Sequence, residues 1–180
     1  MTVEPSGPRI AVGAPVDIDE LVREHGEAIY RVARSVVRDS ALAEDVVQDT
    51  LLKVWQHSAQ YRGDAPIKHW VLRIAHNTAV SALRRRREDA QDPVVMAASA
   101  ERSAGVDVER NVAGQFALDE LWKVLETLDP TTRSIVVLRE IVGLSYEEIC
   151  VVLRLPDPTV KTRLFRARRS LSEQLKDWRS

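Results

Sequence analysis

Apolar residues recur along this chain at intervals of three and four, the period that gathers side chains on one face of an α-helix. Ile18, Leu21, Val22, Ile29, Val32, Val36 and Val37 follow that spacing and predict a helix from about Ile18 to Arg38. Asp39 and Ser40 read as turn and N-cap, because a short side-chain oxygen can accept from the free amides of a helix's first turn. A second helix, from about Ala41 to Gln56, should bury Leu42, Val46, Val47, Leu51, Val54 and Trp55. Its other face carries Glu44, Asp45, Gln48, Asp49 and Lys53. Ser58 to Ala65 reads as a loop around Gly63-Asp64, and Pro66 suits the start of a helix. A third helix, from Ile67 to about Arg87, turns Ile67, Trp70, Val71, Ile74, Ala75, Thr78 and Leu83 inward. It closes on four consecutive arginines, cations at the negative end of the helix dipole.

Periodicity lapses over residues 88–112, which are rich in Ala, Ser, Asp and Glu. Such a segment buries too little apolar area to offset the entropy of ordering, so a flexible linker is expected. The helical pattern resumes near Ala113 with Phe116, Leu118, Leu121, Trp122, Leu125 and Leu128. Asp129-Pro130 then opens a helix that runs to Val142 and stops at Gly143. Ser145-Tyr146-Glu147-Glu148 has the serine-to-glutamate spacing of a capping box and opens a short helix ending near Arg154. Leu155-Pro156-Asp157 makes a turn, Asp157 caps, and the last helix runs from Pro158 to about Trp178. No strand-like alternation of useful length interrupts these runs. The expectation is an all-α chain of two small helical domains joined by a flexible linker. Its parts are a disordered tail over 1–16, a first domain over 17–90, an acidic linker over 91–112 and a second domain over 113–180.

Composition adds little until charge is located. The chain has 180 residues, 44% of them apolar and 29% charged, with a net charge of −1. Yet Ile67 to Arg87 holds Lys68, Arg73, Arg84, Arg85, Arg86 and Arg87 without an acid, and Pro158 to Ser170 holds Lys161, Arg163, Arg166, Arg168 and Arg169 without one. Between them, Glu88 to Glu120 carries eight acids against Arg102 and Arg110. Two basic faces flanking an acidic connector point to a polyanion partner, since local patches matter more for phosphate binding than the total. The lone Cys150 excludes an internal disulfide or a multi-cysteine zinc site, and a reducing cytoplasm fits it. No signal-peptide core or membrane-length apolar run is present, so a soluble, cytoplasmic protein is expected.

The short helix, tight turn and basic second helix near the carboxy terminus have helix-turn-helix organisation. Such a helix can enter the major groove, where an arginine pairs bidentately with guanine. Thr159, Lys161, Thr162, Arg163 and Arg166 lie where it would meet DNA, while Val160 and Leu164 should face inward. The bland alternative is an amphipathic helix with a solvated charged face. On the third helix Trp70 reads in part as core. Arg73, His76 and Asn77 read as solvent-facing groups able to hydrogen-bond or stack on unpaired bases, with Tyr61 placed to stack beside them. A solvated surface remains the alternative there too.

The run Asp45-Val46-Val47-Gln48-Asp49-Thr50-Leu51-Leu52-Lys53-Val54-Trp55, then Tyr61-Arg62-Gly63-Asp64 and Trp70-Val71-Leu72-Arg73-Ile74-Ala75-His76-Asn77, resembles region 2 of extracytoplasmic-function sigma factors, the group IV branch of the sigma-70 family. Leu128-Asp129-Pro130 through Arg133, Leu138-Arg139-Glu140, Gly143-Leu144-Ser145-Tyr146-Glu147-Glu148-Ile149 and Thr159 through Arg168 resemble region 4. The resemblance covers residues 18–87 and 113–175, in the family's order.

It implies that Asp45, Gln48, Asp49 and Lys53 dock on the clamp helices of core RNA polymerase. It implies that Tyr61, Lys68, Trp70, Arg73, His76, Asn77 and Arg84 serve the single-stranded minus-10 element, capturing a base flipped from the stack. Arg139, Thr159, Lys161, Thr162, Arg163, Phe165 and Arg166 would read the minus-35 duplex, some of them through phosphates. It further implies an anti-sigma partner, a monomer when free, membrane contact only through a membrane-bound anti-sigma factor, and a linker whose acids imitate RNA. The chain departs from the family's usual residues at Leu51, Ile67, Ser81, Arg154 and Pro158; Pro158 suits a helix start, and Arg154 stands where a turn glycine is frequent.

A free-standing helix-turn-helix regulator would explain the second half but leave the first without purpose. An adaptor that imitates a sigma factor would need a receiver domain for which this chain has no room. An enzyme is disfavoured: His25, His57, His69 and His76 lack metal-ligand spacing, and no phosphate-cradling glycine loop or nucleophile elbow occurs. No catalytic residue and no cofactor is expected.

Overall fold

A computed structural model describes residues 16–89 and 121–177, with side chains through residue 174, and all its regular elements are helical. The acidic linker, Phe116, Leu118 and the expected tail up to residue 15 lie outside the described residues; Val16, expected in the tail, is instead buried in the core. Helices α1 (Ile18–Val37), α2 (Ser40–His57) and α3 (Ile67–Asp89) form a first bundle, with a 3-10 turn at Ser58–Gln60 before α3. Helical residues 121–125 lead into α4 (Pro130–Val136), which continues as a π-helical turn over Val137–Ile141. Then follow α5 (Tyr146–Leu153) and α6 (Asp157–Asp177).

The starts are set by short acidic or hydroxyl side chains that satisfy otherwise orphaned amides. Asp17 accepts from the amides of Asp19 and Glu20 at 3.0 and 3.1 Å, Asp39 from Leu42 at 3.0 Å and Asp129 from Thr132 at 3.1 Å. The capping box of α5 is complete: the Glu148 amide donates to Ser145 Oγ at 3.2 Å, and the Ser145 amide donates to Glu148 Oε2 at 2.7 Å. Helix α6 begins at Asp157 itself, whose carboxylate holds Lys161 Nζ at 2.7 Å one turn on.

Three positions in the apolar patterns of the predicted helices are exposed, Leu121 among them. Trp55 is 63% exposed and Val22 43% exposed. On α2 the buried positions are Ala43, Val46, Thr50 and Val54, a stripe one residue wide at each turn, and Trp55 falls beyond its edge. Thr50 can be buried because its hydroxyl donates to Val46 O at 2.6 Å. On α3, His69 and Leu72 are buried, neither of them foreseen.

Arg154 ends α5 in the left-handed conformation (φ 54°, ψ 44°) with its amide on Cys150 O. A Cβ there costs about 1–2 kcal/mol, less the greater freedom glycine has when unfolded. Arg154→Gly should therefore stabilise the chain by about 0.5–1 kcal/mol in urea denaturation. A loss of stability would show that the arginine side chain contributes more than its backbone strain costs.

The two halves share one core. Buried Ile29 and Val32 of α1 and Val71, Leu72 and Ala75 of α3 are continuous with Leu125, Ile135, Leu138, Ile149, Val160 and Leu164 of the second half. Helix α4 lies against α1, and α5 against α3. At the junction sits Arg133, 1% exposed. Its Nε donates to Leu125 O at 2.9 Å, Nη2 to Leu128 O at 2.7 Å, and Nη1 crosses to Ser35 O of α1 at 2.7 Å. Burial pushes its pKa down to about 10, so it stays a cation at neutral pH.

Candidate nucleic-acid interface

Helix α6 divides cleanly. Val160, Leu164 and Ala167 are buried against α4 and α5, while Lys161, Thr162, Phe165 and Arg166 point outward. Phe165 is 71% exposed, unusual for an aromatic without a partner. Lys161 Nζ sits 5.8 Å from the Tyr146 ring centre and the Arg139 guanidinium 5.0 Å from it, so Tyr146 gathers two cations at the mouth of the helix-turn-helix. Arg139 is also fixed by donating to Leu144 O at 2.7 Å. That carbonyl is within reach because Gly143, at φ 80°, lets the chain fold back until the Leu144 amide meets Leu138 O at 2.9 Å. Thr159 is half-buried. Arg163 turns back: its Nη1 donates to both Asp129 carboxylate oxygens at 3.0 and 3.1 Å and to Thr132 Oγ1 at 3.0 Å. It ties α6 to the start of α4 instead of standing free like Arg166. Arg168 is likewise held, on Glu140 at 2.7 Å.

The first half brings a second set together. Tyr61, Trp70 and Arg73 line one shallow cavity of about 190 Å³ with Gln60, Arg62, Asp64 and Ala65. Tyr61 is 7% exposed; its ring lies 5.3 Å from that of Trp70, and its hydroxyl donates to Ala65 O at 2.7 Å. It is thus less open than a stacking platform requires, and burial raises its pKa. Arg73 is half-buried and donates from Nε and Nη2 to Val151 O, at 3.1 and 2.5 Å. Lys68 and His76 are half-buried, while Asn77 and Arg84 are exposed, Arg84 with Glu88 at 3.6 Å.

On α2, Asp45, Gln48 and Asp49 are exposed and line another cavity with Leu42, Val46, Ala82 and Arg85. Asp49 lies 3.8 Å from Arg85. Lys53 departs from this group, for its Nζ donates to Thr78 Oγ1 on α3 at 3.0 Å. Leu52 and Trp55, 52% and 63% exposed, continue the same surface. Sequence reasoning missed them by assigning Trp55 to the core; the narrow spacing of Ala43, Val46, Thr50 and Val54 is the signal that would have found them.

Comparison with known proteins decides the family. The Sigma-70 region 2 profile matches residues 21–88, and the Sigma-70 region 4 profile matches residues 118–171. The RNA polymerase sigma-H factor of Pseudomonas aeruginosa is 31% identical over 174 residues, covering 93% of this chain and 90% of that one. The chain belongs to the extracytoplasmic-function sigma factors of the sigma-70 family. The ECF RNA polymerase sigma-E factor of Escherichia coli K12 is 33% identical over 155 residues, 81% of each chain. Among solved structures, the sigma factor RpoE in complex with the anti-sigma factor NepR, from Bartonella quintana, superposes with a TM-score of 0.74 at 28% identity, covering 89% of this chain and 97% of that one. CnrH in complex with the cytosolic domain of CnrY gives a TM-score of 0.66 at 29% identity, covering 89% and 88%.

A sigma factor directs promoter-specific initiation by core RNA polymerase and is not itself an enzyme. Among the described residues no helix is long and apolar enough to cross a membrane, and no group of His, Cys, Asp and Glu could hold a metal ion.

Two histidines of region 2 titrate with the fold. His69 Nε2 lies 3.0 Å from Glu148 Oε1 of α5, which favours its protonated form, but burial outweighs that contact and lowers its pKa below 6.5. Burial also lowers that of His76, against a hydrogen bond with Asn77. As pH falls, the unfolded chain takes up these protons first, so their contribution to stability is present above about pH 6.5 and is lost below it. The melting temperature should hold steady near neutrality and fall as pH drops through about 6. His69→Gln with His76→Gln should flatten that fall in circular dichroism melts. An equally steep decline in the double variant would assign it to other groups.

Proposed function

We propose that this sigma factor divides its work between its halves. Region 2 docks on core polymerase through Asp45, Gln48 and Asp49, extended by Leu52 and Trp55, with Lys53 holding α2 to α3 beneath them. The single-stranded minus-10 element is taken by Tyr61 in the loop before α3 and by Lys68, Trp70, Arg73, His76, Asn77 and Arg84 along α3. Supporting this, Trp70 and the Arg73 guanidinium border one cavity in which a flipped base would be held, with the buried Tyr61 packed against Trp70. Region 4 reads the minus-35 duplex through Lys161, Thr162, Phe165 and Arg166, with Arg139 and Thr159 at its edge. Arg163 orients α6 through Asp129 and Thr132.

The observation that carries this reading is the division of α6: its apolar positions are consumed by the helix-turn-helix core, and four side chains able to meet DNA are left exposed on the other side. An anti-sigma factor is the regulator expected for the chain, supported by the relative RpoE, whose structure is of its complex with NepR. The setting is then the cytoplasm, where polymerase and promoter are.

The test is co-elution of the full chain with bacterial core polymerase, followed by transcription from a genomic library. Stable co-elution with new, discrete start sites supports the reading. Failure to bind core, with specific binding to duplex DNA by the chain alone, would instead favour a free-standing regulator. Within the docking surface, Trp55→Ala should weaken core binding by about tenfold, the scale of a truncated interfacial aromatic. Unchanged affinity would leave the aromatic outside the interface.

A further inference from the structure

The arginines that close α3 do not share one task. Arg84 lies 3.6 Å from Glu88 of its own helix, whereas Arg85 and Arg86 turn towards carboxylates of the α2 side. The last two contacts differ in kind. Arg86 donates to Asp39 Oδ2 at 2.8 Å, and the other oxygen of that carboxylate caps α2 through the Leu42 amide at 3.0 Å. Arg86 therefore belongs to the frame that joins α2 to α3. Arg85 Nη2 stops 3.8 Å from Asp49 Oδ2, too far for a hydrogen bond. Their side chains are 61% and 52% exposed, so water screens the pair and it adds little to stability.

The pair lines a cavity of about 340 Å³, together with Asp45 and Gln48. Buried Val46 and Ala82 line it too, which makes its inner wall apolar. Asp45 and Asp49 are four residues apart, so they share a face of α2 and repel each other. Arg85 comes from the neighbouring helix to offset that repulsion in the free chain. It is drawn to Asp49 without being bonded to it. A better-placed cation can displace it, because no hydrogen bond between the two has to break.

We propose that Arg85 is an internal competitor at the polymerase-docking surface: in the free chain its guanidinium neutralises Asp49, and a basic side chain of core polymerase displaces it on binding. This rests on the reading of Asp45, Gln48 and Asp49 as the docking face. The occupant follows from the chemistry of the cavity. Two carboxylates and an amide accept from a cation, and the apolar inner wall suits the aliphatic stem of a lysine or arginine. Exposed Leu52 and Trp55 offer the same partner apolar ground beside the charge. Competition of this kind lowers affinity and sharpens specificity. A solitary cation gains little by displacing Arg85, whereas a partner that also covers Trp55 gains enough to do so.

Titration of the full chain with core polymerase tests this. Arg85→Gln keeps a long polar side chain and removes the charge; it should tighten core binding by about threefold at low salt. The gain should fade as ionic strength rises, since the groups are exposed. Arg85→Lys restores the charge and should abolish most of that gain. In an Asp49→Asn background Arg85→Gln should have little effect, because the charge it uncovers is gone. Arg86→Gln is the control: it removes one positive charge from the same end of α3, and affinity should not rise.

Weaker or unchanged binding by Arg85→Gln overturns the proposal, the former by placing Arg85 among the groups that hold polymerase. An equal gain in Arg86→Gln does so as well, since net charge alone would then explain it. A full gain in the Asp49→Asn background has the same consequence. Alanine at Asp45, Gln48 and Asp49 together separates this inference from the one beneath it. If that variant binds core as well as the natural chain, the docking face lies elsewhere and both readings fall. If it binds weakly while Arg85→Gln fails to tighten, only the competitor is lost.

Discussion

Arg133→Met should destabilise the full chain by about 3–5 kcal/mol, the range found when one member of a buried charged network is removed. The methionine can fill much of the space of the arginine stem, so the loss is not mainly one of packing. It arises because Ser35 O and Leu128 O lose this donor, the first of them fully buried, while Leu125 O keeps only the Leu128 amide at 3.1 Å. Each unsatisfied carbonyl costs about 1–3 kcal/mol. Arg133→Lys should recover little, because an ammonium on a flexible stem cannot meet three divergent acceptors as a planar guanidinium does. Urea denaturation of the full chain measures both variants. A loss under about 1 kcal/mol for Arg133→Met would mean that the carbonyls find other donors and that Arg133 is not the centre of the junction. Since a domain's whole stability is about 5–15 kcal/mol, the expected loss is enough to depopulate the native chain when warmed.

The second large effect separates the two working surfaces. Lys161→Ala with Arg166→Ala should reduce promoter-specific initiation by roughly a hundredfold, since a good bidentate base contact alone is worth about 1–3 kcal/mol and a phosphate contact adds to it. Core polymerase binding by the same variant should stay within about twofold, because neither residue touches region 2. Asp45→Ala, Gln48→Ala and Asp49→Ala together should do the reverse, weakening core binding while leaving DNA recognition by saturated holoenzyme intact. Both arms are read from one titration of core polymerase followed by transcription at saturation. If both variants lost core binding equally, the assignment of separate surfaces to the two halves would be wrong. A shallower dependence of promoter binding on salt in the Lys161 and Arg166 variant would mark the lost cations as phosphate contacts; an unchanged slope with relaxed sequence preference would mark them as base contacts.

Much of the architecture is written in local chemistry. Asp39, Asp129 and Ser145 stand at helix starts because their short side chains satisfy amides two or three residues ahead, a relation that never leaves the neighbouring turn. Gly143 marks a reversal for an equally local reason, its positive φ. The inward course of Val160 and Leu164, the outward course of Lys161 and Arg166, and the family motifs around them follow from spacing within single helices. The helical class, the helix-turn-helix and the family were therefore legible without coordinates.

What the sequence by itself determined, then, was the set of helices, most of their caps and the side of α6 that is left exposed. Only the tertiary structure decided how wide each buried stripe is, and so it moved Trp55 and Val22 to the surface and His69 to the interior. It decided that Arg163 belongs to Asp129 and Thr132, 34 and 31 residues away, and Lys53 to Thr78, 25 residues away. It also decided that the two halves, whose mutual placement the sequence left open, share one core, joined where Arg133 reaches Ser35 across 98 residues. The physical reason is common to all of these. Capping and periodicity act through neighbours in the chain, whereas burial and long-range hydrogen bonds depend on which surface each helix meets. A lone arginine in a sequence carries no mark that two carbonyls of the preceding turn and a third from 98 residues away will converge on it.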